Sequence, residues 1–202
     1  MHPRLRLAAA TLVIATVAAL ATVVATGRPS ARENAPGFAG ALAPPGLPVM
    51  DFHLRDQDGS PASLAQYRGR VTILTFMYST CQDTCPVMAQ QIRGALDVLG
   101  QPVPTLAVSV DPVNDTPLNA RRFVLRASLT GRMRFLLGTH SQLARVWHSY
   151  AIAPQLAGSR RSDHSSYVFL LDRRGRERVG FPLDQLTPDD LAHDVRLLQR
   201  ET

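Results

Sequence analysis

The stretch "TFMYSTCQDTCPVM", residues 75–88, holds both cysteines of a 202-residue chain, four positions apart, with Pro86 straight after the second. It lies where a buried strand turns into a helix. "RVTILTF" (70–76) is dense in β-branched and apolar residues, as a strand covered on both faces would be. From Pro86 to Leu99 the apolar residues Val87, Met88, Ile92, Ala95, Leu96 and Leu99 recur at helical spacing. A helix N-terminus presents unpaired N–H groups and the positive end of the dipole, which favour thiolate over thiol. Pro86 is tolerated there because its missing N–H has no partner to lose. Cys81 then lies in the loop and Cys85 at the helix mouth. Three chemistries fit such a pair: a structural disulfide, a redox couple, or two ligands of one metal ion. A disulfide closing so short a loop removes little unfolded-state entropy, which makes the staple the weakest of the three.

The remaining elements follow outward from this junction. "DFHLRDQDGSPASL" (51–64) reads as two short strands around an Asp-Gly turn, and "VPTLAVSV" (103–110) as another strand. Thr116-Pro117 supplies an N-cap and a first helical residue for a helix carrying Phe123 and Val124. "MRFLLG" (133–138) is a strand, and residues 141–150 form a helix around Leu143, Val146 and Trp147. "SYVFLLD" (166–172) and "ERVGF" (177–181) form a hairpin across Arg173-Arg174-Gly175-Arg176. Thr187-Pro188-Asp189-Asp190 opens a last helix through Leu198. Early crossovers require parallel neighbours, and the late hairpin adds antiparallel strands. The order predicts an α/β protein with a mixed central sheet flanked by helices, of thioredoxin-like type.

Ahead of the domain, Leu7 to Thr26 runs 20 residues without a charge behind Arg4 and Arg6. As a helix that is ~30 Å, the thickness of a bilayer's hydrocarbon core. A cleaved signal usually has an apolar region of only ~7–15 residues, so a retained N-terminal transmembrane helix is the favoured reading. Ala19-Leu20-Ala21 keeps cleavage open as the alternative, with secretion to the periplasm. Residues 1–27 are thus expected to be the anchor or signal, 28–48 a Pro/Ala/Gly-rich linker, and 49–202 the folded domain. The arginines before the apolar run favour an inner-membrane span with the domain in the periplasm. Such a compartment is oxidising, so an unprotected thiol pair can close there.

The formal net charge is +6 and every basic residue is arginine. From residue 49 onward 18 arginines face 15 acids, too thin a surplus for a nucleic-acid surface. Arg160, Arg161, Arg173, Arg174, Arg176 and Arg178 group around the His164 loop and the hairpin. They read as a solvated face, with a basic rim able to steer an acidic partner as the sharper alternative.

Redox couple and metal site differ in what approaches the thiols. In a thioredoxin-type architecture the loop before the hairpin faces the helix mouth, and thiol-disulfide enzymes place a cis-proline there. Here "RRSDHSSYVFLLD" (160–172) lacks proline and carries His164. Two thiolates suit Cu(I), an added imidazole lets the site also hold Cu(II), and zinc can use the same atoms. Structural zinc takes four protein ligands, whereas three are evident here. A peroxidase of related fold needs a threonine three residues before its cysteine; Tyr78 and Gln82 occupy those places.

The chain resembles the SCO/SenC family of copper-binding cytochrome oxidase assembly proteins. The resemblance rests on "CQDTCP" (81–86), "SVDPVNDTP" (109–117) and "DHSSYVFLLD" (163–172), and runs from about residue 45 to the end. It implies a thioredoxin-like fold, copper, as Cu(I) or Cu(II), held by Cys81, Cys85 and His164, and a role in maturing the binuclear copper centre of cytochrome c oxidase. The implied partners are the copper-receiving oxidase subunit and an upstream copper donor. Metal delivery involves no substrate turnover; the rival is a thiol-disulfide oxidoreductase that reduces the cysteines of the oxidase copper site.

Simpler readings attach to the other polar and sulfur residues. Asp111 and Asp115 are explained by an ordered turn and a helix start. Met77 and Met88 fit the core, and Gln82-Asp83-Thr84 carries no assigned role. His53, His140, His148 and His193 fall on separate segments without shared spacing.

Overall fold

The computed structural model describes residues 37–154 and 166–201. From Phe38 onward the described residues form one compact unit, and the apolar run 7–26 and His164 lie outside the described residues. Among the described residues no helix is long and apolar enough to cross a membrane.

Eight strands make one sheet: β1 (Ala41–Leu42), β2 (His53–Asp56), β3 (Pro61–Ser63), β4 (Thr72–Met77), β5 (Thr105–Ser109), β6 (Arg134–Leu137), β7 (Tyr167–Leu171) and β8 (Glu177–Pro182). Their spatial order is β1-β8-β7-β4-β5-β6-β2-β3. The β4–β5 and β5–β6 pairs are parallel, while β7, β8, β1, β2 and β3 all join antiparallel. The helices are α1 (Thr84–Leu99), α2 (Pro117–Arg126), α3 (His140–Ser149) and α4 (Pro188–Arg200). This is the expected mixed α/β layering.

Each residue of β4 is buried, because both faces of the sheet are covered. Ile73 and Met77 point into a core shared with Met88 and Ile92 of α1, Phe123 of α2 and Leu191 and Val195 of α4. Leu74 and Phe76 point the other way, onto Leu143, Val146 and Trp147 of α3. Both cysteines belong to the first core, at the end of the sheet where β4 stops. Gly94 lets α4 seat on α1: a Cβ there would lie 2.9 Å from the Pro188 ring.

One expectation needs correcting, and one alternative, the basic rim beside the thiols, gives way to the solvated face. The linker reading gives no strand before residue 49, yet Ala41–Leu42 pairs with Gly180 and Val179 of β8. Ahead of it, the Ala39 and Gly40 N–H groups donate to the buried Asp194 carboxylate at 2.8 and 2.9 Å. A two-residue strand has no periodicity to read, and the acceptor of the Gly40 N–H just ahead of it lies 154 residues away. The arginines of the hairpin also do not ring the thiols. Leu171 pairs with Thr72, so the turn after β7 sits where β4 begins, a strand length of roughly 20 Å from the cysteines. Arg176 pairs there with Asp172 at 2.7 Å, and Arg178 with Glu201 at 2.6 Å. Arg160 and Arg161 lie outside the described residues.

Candidate metal centre

Helix α1 begins two residues before Pro86, because Asp83 caps it: its carboxylate accepts the Thr84 N–H at 2.6 Å. Pro86 is therefore the third helical residue, still among positions whose N–H has no intrahelical partner. Cys85 stands in the first helical turn, fully buried, and Cys81 lies in the preceding loop, 5% exposed. That loop is a turn closed by the Cys81 N–H donating to the Tyr78 carbonyl at 3.2 Å.

The two cysteines are not bridged by a disulfide and are joined by hydrogen bonds. The Cys85 N–H donates to the Cys81 sulfur at 3.3 Å, and the Cys85 thiol donates to the same atom. That thiol donor pulls the Cys81 pKa down to about 6, against burial and a second hydrogen bond from Cys81 to the Asp83 carboxylate at 3.1 Å. For Cys85 the same bond and its burial act in the opposite sense and push its pKa up. Burial raises the Tyr78 hydroxyl as well, with the adjacent Cys81 adding to it. One sulfur is thus poised as a thiolate and the other held as its thiol donor.

Asp83, left without a role by the sequence, is both the cap of α1 and an acceptor for Cys81. Its position at the mouth of the predicted helix was the available signal. Met88 is buried and its sulfur accepts the Thr75 hydroxyl at 3.4 Å; Met77 is equally buried. Both are core residues, as expected. His53 is exposed on β2, and His140 and His148 are exposed at opposite ends of α3. Among the described residues no three His, Cys, Asp or Glu side chains are grouped to hold a metal ion. The Cys81 and Cys85 sulfurs lie together as soft donor atoms, and the third predicted ligand, His164, lies outside the described residues.

The model of the SCO1/SenC family matches residues 43–199. The chain belongs to the SCO1/SenC family. Two SCO relatives are an SCO2-like protein of Rickettsia prowazekii, 26% identical over 66% of this chain and 68% of its own length, and the SCO1 homologue of Bacillus subtilis, 28% identical over 73% and 81%. Among solved structures, Bradyrhizobium japonicum ScoI with copper bound superposes with a TM-score of 0.61 at 27% identity, covering 74% of this chain and 98% of that one. The SCO1/SenC match spans the thiol turn, the 109–117 segment and the hairpin together.

Proposed function

We propose that this SCO1/SenC protein is a copper-binding factor in cytochrome c oxidase assembly, which takes up copper on Cys81, Cys85 and His164 and passes it to the copper-receiving oxidase subunit. The observation that carries the reading is the Cys81–Cys85 pair: two unbridged sulfurs joined at 3.3 Å through the Cys85 N–H, one of them depressed to about 6. A thiolate available near neutral pH is a soft ligand ready for Cu(I), and binding would displace the proton from Cys85. Family membership and a copper-bound relative with the same fold support the choice of metal. Copper is the cargo here. The acceptor's own thiolates replace the two sulfurs one at a time, with no change in oxidation state.

Residues 1–27 serve in this reading as the membrane anchor, holding the folded domain in the periplasm; fractionation of membranes after alkaline extraction tests that part. The central test is metal content and absorption of the reduced protein after copper addition. One equivalent with a sulfur-to-copper charge-transfer band, lost in Cys81→Ser and in Cys85→Ser, supports the proposal, and retention of the band in either variant overturns it.

A second reading is favoured by the opposite shifts of the two thiols, since a nucleophilic thiolate backed by a protonated thiol is also what a dithiol reductant needs. Reduction of an oxidase disulfide would leave Cys81 and Cys85 oxidised and return two thiols to the acceptor. His164→Ala separates the readings: copper affinity falls if delivery is the function, while thiol exchange survives.

A further inference from the structure

Asp115 is 6% exposed and has no arginine or histidine within ion-pair distance among the described residues. Burying a carboxylate without a cation is strongly unfavourable unless hydrogen bonds compensate. The local backbone does not account for it. Asp111 already closes the turn, accepting the Asn114 N–H at 3.2 Å and the Asn114 amide at 2.8 Å. Thr116 already caps α2, accepting the Asn119 N–H at 3.2 Å. Every donor to Asp115 comes from outside its turn: the Ser79 N–H and hydroxyl at 2.6 Å each, and the Ser109 hydroxyl at 2.5 Å. These are the short distances of charge-assisted bonds.

Ser79 sits inside the turn that carries Cys81. Its N–H and hydroxyl are held by Asp115, and its carbonyl accepts from Arg126 of α2 at 3.4 Å. Ser109, the last residue of β5, fixes the other carboxylate oxygen and is itself anchored, its carbonyl accepting the Trp147 indole N–H at 2.9 Å. We infer that Asp115 is the positioning residue of the thiol pair, clamping the turn of Cys81 to the end of β5 so that the Cys81 sulfur meets the Cys85 N–H. The inference rests on the reading that Cys81 and Cys85 are the functional pair.

The test compares Asp115→Ala and Asp115→Asn in the full chain, without copper, by amide hydrogen exchange and by the dithiol–disulfide equilibrium with oxidised glutathione. In that equilibrium one glutathione disulfide becomes two thiols as Cys81 and Cys85 join. Alanine removes all three acceptor bonds, so exchange across residues 78–81 should rise about tenfold or more. The equilibrium should move severalfold toward the dithiol, because misplaced sulfurs lose effective concentration. Asparagine keeps an acceptor oxygen for Ser79 and should stay within roughly threefold of the parent on both readouts. Should alanine prevent folding, Ser79→Ala removes the hydroxyl bond alone and should still raise exchange at 78–81 by about threefold. A folded alanine variant with parental exchange and equilibrium overturns the inference. So does an increase in exchange spread evenly over the domain. Neither readout involves copper, so these outcomes are independent of whether the copper reading holds.

Discussion

The backbone N–H of Cys85 points at the sulfur of Cys81, 3.3 Å away, so the first turn of a helix solvates one thiol of the pair with the amide of the other. The thiol of Cys85 follows its amide. This double donation makes two chemically identical side chains unequal.

The inequality is measurable. Alkylation of Cys81 by iodoacetamide should reach half its maximal rate near pH 6, while Cys85 stays unreactive in the folded protein. In Cys85→Ala the thiol donor is gone, and the midpoint should rise toward the ordinary cysteine value of about 8.5. Because the folded pKa of Cys81 is depressed, its contribution to stability is full above its unfolded pKa and is lost as pH falls through about 6. A midpoint unmoved by Cys85→Ala would remove the proposed cause.

Asp83 acts on the same sulfur with opposite sign. Asp83→Ala deletes the cap of α1 and should lower unfolding free energy by about 1 kcal/mol in urea titration. It also deletes the acceptor of the Cys81 thiol proton, so alkylation of Cys81 should become half-maximal at a lower pH than in the parent. Both changes are expected in the same variant.

Asp194 fastens the start of the domain. Asp194→Ala leaves the Ala39 and Gly40 amides without their acceptor and should cost about 2–3 kcal/mol. Hydrogen exchange should increase first at residues 39–42 if this carboxylate is what seats β1. Gly40→Ala gives a second handle, since a Cβ there would stand 2.5 Å from Val179.

Asp115 makes stability depend on pH in the reverse direction to Cys81. Burial raises its pKa to about 6 from an ordinary 3.8. A carboxyl that takes up a proton more readily when folded favours the fold fully below pH 3.8, and that advantage disappears as pH rises through 6. The stability difference between the parent and Asp115→Asn should therefore drift by about 3 kcal/mol over that window. Denaturant titrations at pH 4, 5, 6 and 7 check this, and a constant difference contradicts it.

Much of this architecture could be read from residue patterns. Strands dense in β-branched and apolar residues such as 72–77 and capped helices such as 117–126 carry their signals locally, and they formed where expected. Long-range partners do not carry such signals. Nothing near Ala41 points to β8 or to Asp194, and nothing in the hairpin sequence tells which end of the sheet its arginines occupy. At the candidate site the two cysteines and the helix mouth were readable, but their unequal acidity was not. That inequality depends on where Asp83 and the Cys85 amide lie relative to one sulfur, a matter of ångströms. Asp115 is the sharpest case. Its motif reads as a turn, which Asp111 and Thr116 suffice to build, and only the folded chain brings Ser79 and Ser109 to it.

The sheet has two unlike ends. The last helix finishes beside the hairpin turn, where Gln199 receives Arg173 and Glu201 holds Arg178, at the far end of the sheet from the cysteines. A dye, bead or sensor surface coupled through that corner would leave the end of the sheet that carries the cysteines unobstructed. An immobilised layer of the protein would then be oriented by its own build, every copy keeping the end of the sheet that holds its thiols away from the support.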